Sequence, residues 1–145
     1  MIRYVIDASV AIKWFVPENP EEPDVPQALA LLDALKNGDI ALYQPAHWEA
    51  EIAGVLARIS PANAIKKMVA LRALAFTRVN DTTVYATACN LAIRLNHHLF
   101  DTLYHAVALH TTETTLITAD YRYFDKAQSI GQIIRLCDLH LHRPT

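Results

Sequence analysis

The sequence is poor in glycine and cysteine. Its three glycines, at positions 38, 54 and 131, form neither a P-loop nor a GxGxxG fingerprint, so the nucleotide-binding sites that depend on those motifs are excluded. There is no GxSxG elbow, which argues against an α/β-hydrolase. The two cysteines, Cys89 and Cys137, lie far apart. They predict neither a disulfide framework nor a zinc site and favour a reducing, cytoplasmic compartment.

Long uncharged segments and an excess of positive charge are also lacking. The longest segment without Asp, Glu, Lys or Arg runs from Thr82 to Ile93, far short of the ~20 apolar residues that a membrane span needs. No basic-then-apolar leader precedes Asp7, and we expect no membrane association. With 13 Lys and Arg against 15 Asp and Glu, the net charge is −2. Any contact with nucleic acid must therefore come from a local patch.

The chain has enough apolar sequence for one hydrophobic core. Of its 145 residues, 52% are hydrophobic and 19% are charged, a composition that excludes a disordered or solvating chain. The length is typical of one domain, so we interpret residues 1–145 as a single domain.

Hydrophobic periodicity predicts strands that alternate with helices. Predicted strands cover residues 3–6, 40–43, 78–80, 114–118 and 133–136, and the prolines and acids of 17–26 form a loop. Helices are predicted after the first strand, up to Lys36, from Pro45 to Ile59, from a Ser60 N-cap to about Phe76, from Asp81 to Asn96, and from Asp101. This alternation favours a three-layer α/β/α fold with a mostly parallel sheet of about five strands.

Two aspartates follow predicted strands, Asp7 after the first and Asp120 after the strand at 114–118. Ligand sites in open parallel sheets form outside the carboxyl ends of the strands, where the strand order reverses. If the two strands are neighbours, both carboxylates face one crevice. The alternative is that each aspartate only caps the helix that follows it.

Glu51 interrupts the apolar face of its predicted helix, which is formed by Trp48, Ile52, Val55, Leu56 and Ile59. Glu49 points about 160° away from Glu51 on a helix of 3.6 residues per turn. Because burying a lone carboxylate is costly, this face should border a polar cavity, unless Glu51 reaches solvent at its edge. Asp101 is either a fourth acid of that cavity or simply a helix N-cap.

Together, Asp7, Glu51, Asp101 and Asp120 offer the oxygen ligands that hard divalent cations require. Magnesium retains several waters, so a few carboxylates suffice. Such a cluster orients and deprotonates a water and neutralises charge that develops on a phosphodiester. A receiver-type phosphotransfer domain remains an alternative, although it gives no reason for Glu51. A DxD phosphatase is disfavoured because position 9 is Ser9.

The seven histidines do not predict a transition-metal site. His97, His98, His105 and His110 lack the HExxH arrangement, and we interpret residues 140–142 as a solvated tail. We interpret His105 as a surface residue, the alternative being that it orients Asp101, one turn earlier. Basic residues are concentrated between Arg58 and Arg78, with no acid among them. Within this stretch Lys66, Lys67 and Arg72 are candidates for contacts with an RNA backbone, the alternative being a solvated helix face.

Four segments in order resemble the PIN-domain family, particularly its VapC-like toxins. They are IDASVAIKWF at 6–15, Pro45 followed by Glu51 and EIAGVL, DTLYHA at 101–106, and LITAD at 116–120 with Arg122–Phe124. The resemblance spans nearly the whole chain. It departs from the family at Gly54, where Asn is common, and an idle PIN-like metal-binding interaction module therefore stays open as an alternative.

The resemblance implies a Mg²⁺- or Mn²⁺-dependent endoribonuclease that acts as the toxin of a toxin–antitoxin pair. Asp7, Asp101 and Asp120 would bind metal, and Glu51 would complete the metal shell or take a proton. Ser9 and Thr118 match positions that support this acidic cluster through hydrogen bonds. The resemblance also implies an RNA substrate, a small antitoxin that blocks the site, and a homodimer.

Overall fold

The computed structural model describes residues 1–16 and 19–141, which surround a five-stranded sheet. The strands are β1 (Ile2–Ile6), β2 (Ile40–Gln44), β3 (Thr77–Arg78), β4 (Thr114–Thr118) and β5 (Ile133–Arg135). They lie in the order β3-β2-β1-β4-β5, and every pairing is parallel. The carboxyl ends of all five strands therefore share one edge, and the strand order reverses between β1 and β4. The predicted α/β/α fold with a parallel sheet is confirmed.

Seven α-helices accompany the sheet in the described part of the chain. They are α1 (Ala8–Ala11), α2 (Val25–Lys36), α3 (Trp48–Ile59), α4 (Ala64–Arg72), α5 (Thr82–Leu95), α6 (Leu99–His110) and α7 (Tyr121–Ala127). A 3₁₀ helix, Ile12–Phe15, continues α1, and two more 3₁₀ turns, Gln128–Ile130 and Leu136–Asp138, flank β5. Helix α6 packs against β1, β2 and β4, across the point where the strand order reverses.

The two central strands are buried on both faces. Val5 and Ile6 of β1 are inaccessible to solvent, as are Leu116 and Ile117 of β4 apart from a trace. Consecutive buried residues, rather than alternating ones, are the signature of a parallel strand covered by helices on each side. Helix α6 is just as enclosed, with seven successive buried residues, 102–108. A helix that is buried on all sides belongs to the core, so the side chains of its first turn are held rigidly.

Several helix boundaries differ from the predicted ones. Helix α3 begins at Trp48 rather than Pro45, because residues 45–47 form a turn in which the Trp48 N–H donates to the Pro45 carbonyl at 3.2 Å. Helix α4 begins at Ala64 and ends at Arg72, so the predicted Ser60 cap and the extension to Phe76 are wrong. A turn closed from the Asn63 N–H to the Ser60 carbonyl occupies that place. The face of α3 is also shorter than predicted, since Ile59 is 48% exposed.

The predicted ends of α2 and α5 agree with the structure. Gly38 follows α2 with φ +78°, and Asn96 ends α5 with φ +50°; both adopt the left-handed conformation that stops a helix. In the loop predicted over 17–26, Pro17 and Glu18 lie outside the described residues, and α2 begins within that range, at Val25. In the predicted tail, His140 is exposed, and His142 lies outside the described residues.

Candidate active site

Asp7 follows β1 directly and lies between two hydroxyl groups. Ser9 and Thr118 each donate to one of its carboxylate oxygens. Backbone N–H groups fix these hydroxyls in turn: that of Ala119 donates to Ser9 Oγ at 3.1 Å, and that of Asp120 donates to Thr118 Oγ1 at 2.9 Å. The structure therefore gives Ser9 and Thr118 contacts of the kind that the family resemblance implies.

The strand that carries Asp7 is held by a side-chain amide as well as by the sheet ladder. Gln44, which is fully buried, donates to the Ile6 carbonyl at 2.9 Å and accepts from the Ile6 N–H at 3.1 Å. Both backbone groups of the residue before Asp7 are thereby satisfied at the end of the β1–β2 ladder. Sequence reasoning missed Gln44, because its only signal is one polar residue at the end of a buried strand.

All four predicted acids line one crevice of about 440 Å³ at the carboxyl edge of the sheet. Asp7 and Asp120 reach it from the ends of β1 and β4, and Glu51 and Asp101 from α3 and α6. It lies where the strand order reverses, the place at which parallel sheets bind ligands. Asp120 also caps α7, since its carboxylate accepts from the Tyr123 N–H at 3.1 Å. Capping and lining the crevice are thus compatible roles for Asp120.

Glu51 is oriented by two neighbours. The Tyr104 hydroxyl donates to its Oε1 at 2.6 Å, and His47 Nε2 lies 3.1 Å from the same atom. Burial alone would raise the pKa of Glu51, but these two contacts, together with the charges of His47 and His98, hold the pKa below its usual value. Glu49, in contrast, faces the other way, as predicted, and pairs with arginines of α4 and β3.

Asp101 is the third residue of α6, so the prediction that it begins this helix is wrong. Its neighbours are two histidines that precede it: Nε2 of His97 lies 2.6 Å from Asp101 Oδ2, and Nε2 of His98 lies 3.1 Å from it. A carboxylate in the first turn also benefits from the helix dipole. Asp101 lines the crevice as well, and a capping role alone therefore does not account for its position.

The crevice concentrates negative charge. Burial raises the pKa of Asp7 to about 7; the charges of Asp101 and Asp120 raise it further, and these effects outweigh the two hydroxyl bonds, which lower it. Burial also raises the pKa of Tyr104 and that of Tyr123, so both phenols stay protonated; the Tyr104 hydroxyl donates to Glu51, and the Tyr123 hydroxyl donates to His105. A buried carboxyl group that resists ionisation beside further acids fits a site for a divalent cation, whose charge would offset the repulsion.

Two residues at the crevice were not predicted from the sequence. Lys13 is only 4% exposed in its side chain; its ammonium donates to Glu22 Oε1 at 2.7 Å and to the Pro23 carbonyl at 2.8 Å. Both Lys13 and Glu22 line the crevice, so this contact ties the loop before α2 to the site. The sequence feature that could have indicated a role for Lys13 is the position of a lysine within the apolar pattern that follows Asp7.

His105 is buried, and its interpretation as a surface residue is wrong. The Tyr123 hydroxyl donates to its Nδ1 at 2.9 Å, and its Nε2 donates to the Gly131 carbonyl at 2.8 Å. Burial lowers the pKa of His105, which favours the neutral ring. A polar residue on a helix that is enclosed on all sides must find such internal partners.

The three candidate RNA-binding residues differ in their surroundings. Lys66 is exposed, whereas Lys67 donates to the Phe15 carbonyl at 3.0 Å and to Ser60 Oγ at 3.1 Å. Arg72 pairs with Glu49 at 2.9 Å, so an acid outside this stretch of sequence neutralises part of its charge. At the family departure, Gly54 is exposed, and a Cβ there would meet nothing within 4 Å. The missing Asn therefore leaves no gap in the packing of the described residues.

The PIN-domain family model matches residues 4–129, and the chain belongs to that family. Three solved structures share its fold. FitAB bound to a DNA fragment has 19% identity and a TM-score of 0.60, covering 97% of this chain and 99% of that one. VapBC-1 from nontypeable Haemophilus influenzae has 15% identity and a TM-score of 0.63, covering 94% and 100%. A protein from Pyrobaculum aerophilum has 17% identity and a TM-score of 0.57, covering 93% and 90%.

No curated protein sequence matches this chain at a significant level. Within residues 1–16 and 19–141, none of the helices combines the length and apolar character that crossing a membrane requires.

Proposed function

We propose that this protein is a divalent-metal-dependent endoribonuclease. The observation that carries the proposal is the meeting of Asp7, Glu51, Asp101 and Asp120 in one crevice where the strand order reverses. PIN domains are generally nucleases, and the family match covers the strands and helices that carry all four acids. Phosphodiester hydrolysis requires an oriented water and stabilisation of developing negative charge, and metal-binding carboxylates serve both needs.

The four acids have different proposed roles, which follow from their surroundings. Asp7, Asp101 and Asp120 would hold Mg²⁺ or Mn²⁺, which supplies a polarised water and neutralises charge on the phosphate. Glu51 stays ionised, because its pKa is held below the usual value, and Tyr104 fixes its Oε1; it would complete the metal shell or accept a proton from the attacking water. Ser9 and Thr118 keep the Asp7 carboxylate in one orientation.

The biological role that we propose is that of a toxin in a toxin–antitoxin pair, acting in the cytoplasm as a homodimer. The sequence motifs are similar to those of VapC-like toxins, and two proteins of the same fold were solved as VapBC-1 and as FitAB bound to DNA. In this role a small antitoxin would cover the acidic crevice and deliver a basic side chain to it. The carboxylates of the crevice provide the negative charge that such a side chain would meet.

The test is cleavage of RNA by the purified full chain and by its Asp7→Asn variant. We expect cleavage with Mg²⁺ or Mn²⁺, none with EDTA, and a loss of at least about 100-fold in Asp7→Asn, because the variant lacks the carboxylate at the centre of the cluster. Asp138→Asn, an exposed aspartate in a 3₁₀ turn, is the matched control and should cleave at the wild-type rate.

Circular dichroism checks that Asp7→Asn is folded. Equal RNA cleavage by wild type and Asp7→Asn, or cleavage that persists in EDTA, would contradict the proposal, since either result places the activity outside this crevice.

A further inference from the structure

His97 and His98 converge on Asp101 beside the acidic crevice. The two Nε2 atoms lie 2.6 and 3.1 Å from Asp101 Oδ2, and one ligand atom from each of the three residues falls within 4.8 Å of the others. The two rings are stacked, with centroids 4.8 Å apart and an angle of 27° between their planes. Both imidazoles therefore turn the same edge towards one carboxylate.

We propose that His97, His98 and Asp101 form a second metal site, which takes a borderline divalent transition ion such as Zn²⁺ or Co²⁺. Imidazole nitrogen suits these ions, whereas Mg²⁺ prefers oxygen ligands alone. Two histidines and one carboxylate leave positions open for water or a further ligand. This site goes beyond the proposed nuclease centre, and its existence does not depend on RNA cleavage.

Two of the three separations between ligand atoms are close to those around a bound ion. Ligands bound to one ion at about 2.0–2.2 Å stand roughly 3–3.5 Å from each other. The separation of 3.1 Å between His98 Nε2 and Asp101 Oδ2 already meets this requirement, and the His97 contact at 2.6 Å has to widen slightly. His98 is 66% exposed in its side chain, which leaves solvent access for an ion, whereas His97, at 8%, is held by its surroundings.

Asp101 belongs to two neighbouring cavities. It lines the acidic crevice and also a cleft of about 320 Å³ that contains both histidines, Asp120, Arg122 and Lys126. An ion on the histidines would therefore bind a carboxylate that the nuclease centre also needs. Occupancy of the two sites is therefore coupled through Asp101, and Asp120 lines both cavities as well.

The position of Lys126 in the metal-free protein disfavours metal binding to His97. Its ammonium donates to His97 Nδ1 at 3.2 Å and to the Asn96 carbonyl at 3.1 Å. Metal binding at Nε2 places the imidazole proton on Nδ1, so Lys126 must then withdraw from that nitrogen. Lys126→Gln removes the positive charge and leaves an amide oxygen able to accept from Nδ1–H, the kind of outer contact that strengthens a histidine ligand.

The experiment is a titration with cobalt(II) chloride, followed by visible absorption, in excess Mg²⁺. Wild type and Asp7→Asn should both bind Co²⁺, because both chains keep the two histidines and Asp101, and Mg²⁺ competes for carboxylate oxygens but not for imidazole nitrogen. His98→Ala should weaken Co²⁺ binding by about tenfold or more, since even outer-shell losses cost 10- to 100-fold. His140→Ala removes an exposed histidine elsewhere and should leave the affinity unchanged. Lys126→Gln should tighten binding.

Three results would overturn the proposal: equal Co²⁺ affinity in wild type and His98→Ala, loss of the absorption bands in Asp7→Asn, or an affinity unchanged by Lys126→Gln. Because His98 is largely exposed, its replacement should preserve the fold, and circular dichroism checks this. The readout is independent of nuclease activity. A chain that binds Co²⁺ but cuts no RNA contradicts only the proposed function, and one that cuts RNA but fails the titration contradicts only this site.

Discussion

Thr118 donates its hydroxyl to the carboxylate of Asp7, a residue 111 positions earlier in the chain. The contact joins the ends of β1 and β4, the two strands between which the strand order reverses. It orients a carboxylate whose neighbours Asp101 and Asp120 disfavour its charge. The acidic centre is therefore organised by hydroxyl donors before any cation arrives.

Metal-free stability should fall as the pH rises through the titration of Asp7. Burial raises the pKa of Asp7 to about 7 in the folded chain, against about 3.9 in an unfolded one. Between about pH 4 and pH 7 the folded chain thus binds more protons than the unfolded chain, and the free energy of unfolding decreases with pH in that window. Urea denaturation in EDTA at several pH values measures this decrease in the free energy of unfolding.

Asp7→Asn is the control for this pH dependence. His105 acts in the opposite direction, because burial lowers its pKa and favours unfolding in acid, but both chains contain it. The difference in stability between variant and wild type should therefore grow from pH 5 to pH 8. Parallel pH profiles would show that Asp7 titrates normally.

Asp120→Asn should stabilise the metal-free protein and weaken its response to Mg²⁺. Asparagine caps a helix about as well as aspartate, so the bond to the Tyr123 N–H is kept while one negative charge beside Asp7 is lost. Relief of about 1 kcal/mol of repulsion should raise Tm in EDTA by roughly 3–5 °C. The gain in Tm on adding Mg²⁺ should shrink, because a ligand has been removed.

Thermal melts of Asp125→Asn provide the comparison, since Asp125 is exposed on the same helix. If Asp120→Asn melts like wild type in EDTA and gains as much from Mg²⁺, Asp120 acts as a cap and not as a ligand.

Gln44→Met should destabilise the fold by about 3 kcal/mol, because it leaves the N–H and carbonyl of Ile6 buried without partners. The side-chain volume is nearly conserved, so the loss reports the two hydrogen bonds rather than a cavity. Chemical denaturation measures it, with Gln128→Met at an exposed position as the control. A change below about 0.5 kcal/mol, the scale of a surface substitution, would mean that the Gln44 amide does not support β1.

Replacing Lys66, Lys67 and Arg72 together with Ala should weaken RNA binding and flatten its dependence on salt. Each lost phosphate contact should reduce the slope of log K against log salt by about 1. Lys67 and Arg72 have partners within the protein, so their loss also affects stability. Lys66→Ala alone, at an exposed position, separates the two effects. An unchanged salt slope in both variants would make this stretch an ordinary solvated helix face.

The sequence predicted the strands and the acids that follow them. β1 and β4 are short runs rich in β-branched residues; Asp7 comes directly after β1, and Asp120 comes two residues after the end of β4. Such signals are local, because strand formation and burial leave their pattern in neighbouring residues. The opposite orientations of Glu51 and Glu49 on α3 could be predicted for the same reason, because helical spacing alone determines them.

Helix starts and polar partners were predicted less well. Proline at 45 and at 61 suits a helix start but also suits the turns that precede α3 and α4, and tertiary packing selects the turns. His105 was predicted to be a surface residue, because nothing near it in the sequence indicates that Tyr123 and the Gly131 carbonyl are its partners.

By itself, the sequence determined where β1 and β4 end, which helix carries an acid on its apolar face, and hence which four carboxylates are available. Only the tertiary structure decided that β4 lies beside β1, so that Asp7 and Asp120 share an edge with Glu51 and Asp101. It also brought Gln44 to Ile6 and Tyr104 to Glu51. Periodicity and propensity act over a few residues, whereas these contacts join positions 38 and 53 residues apart and depend on how the strands are ordered.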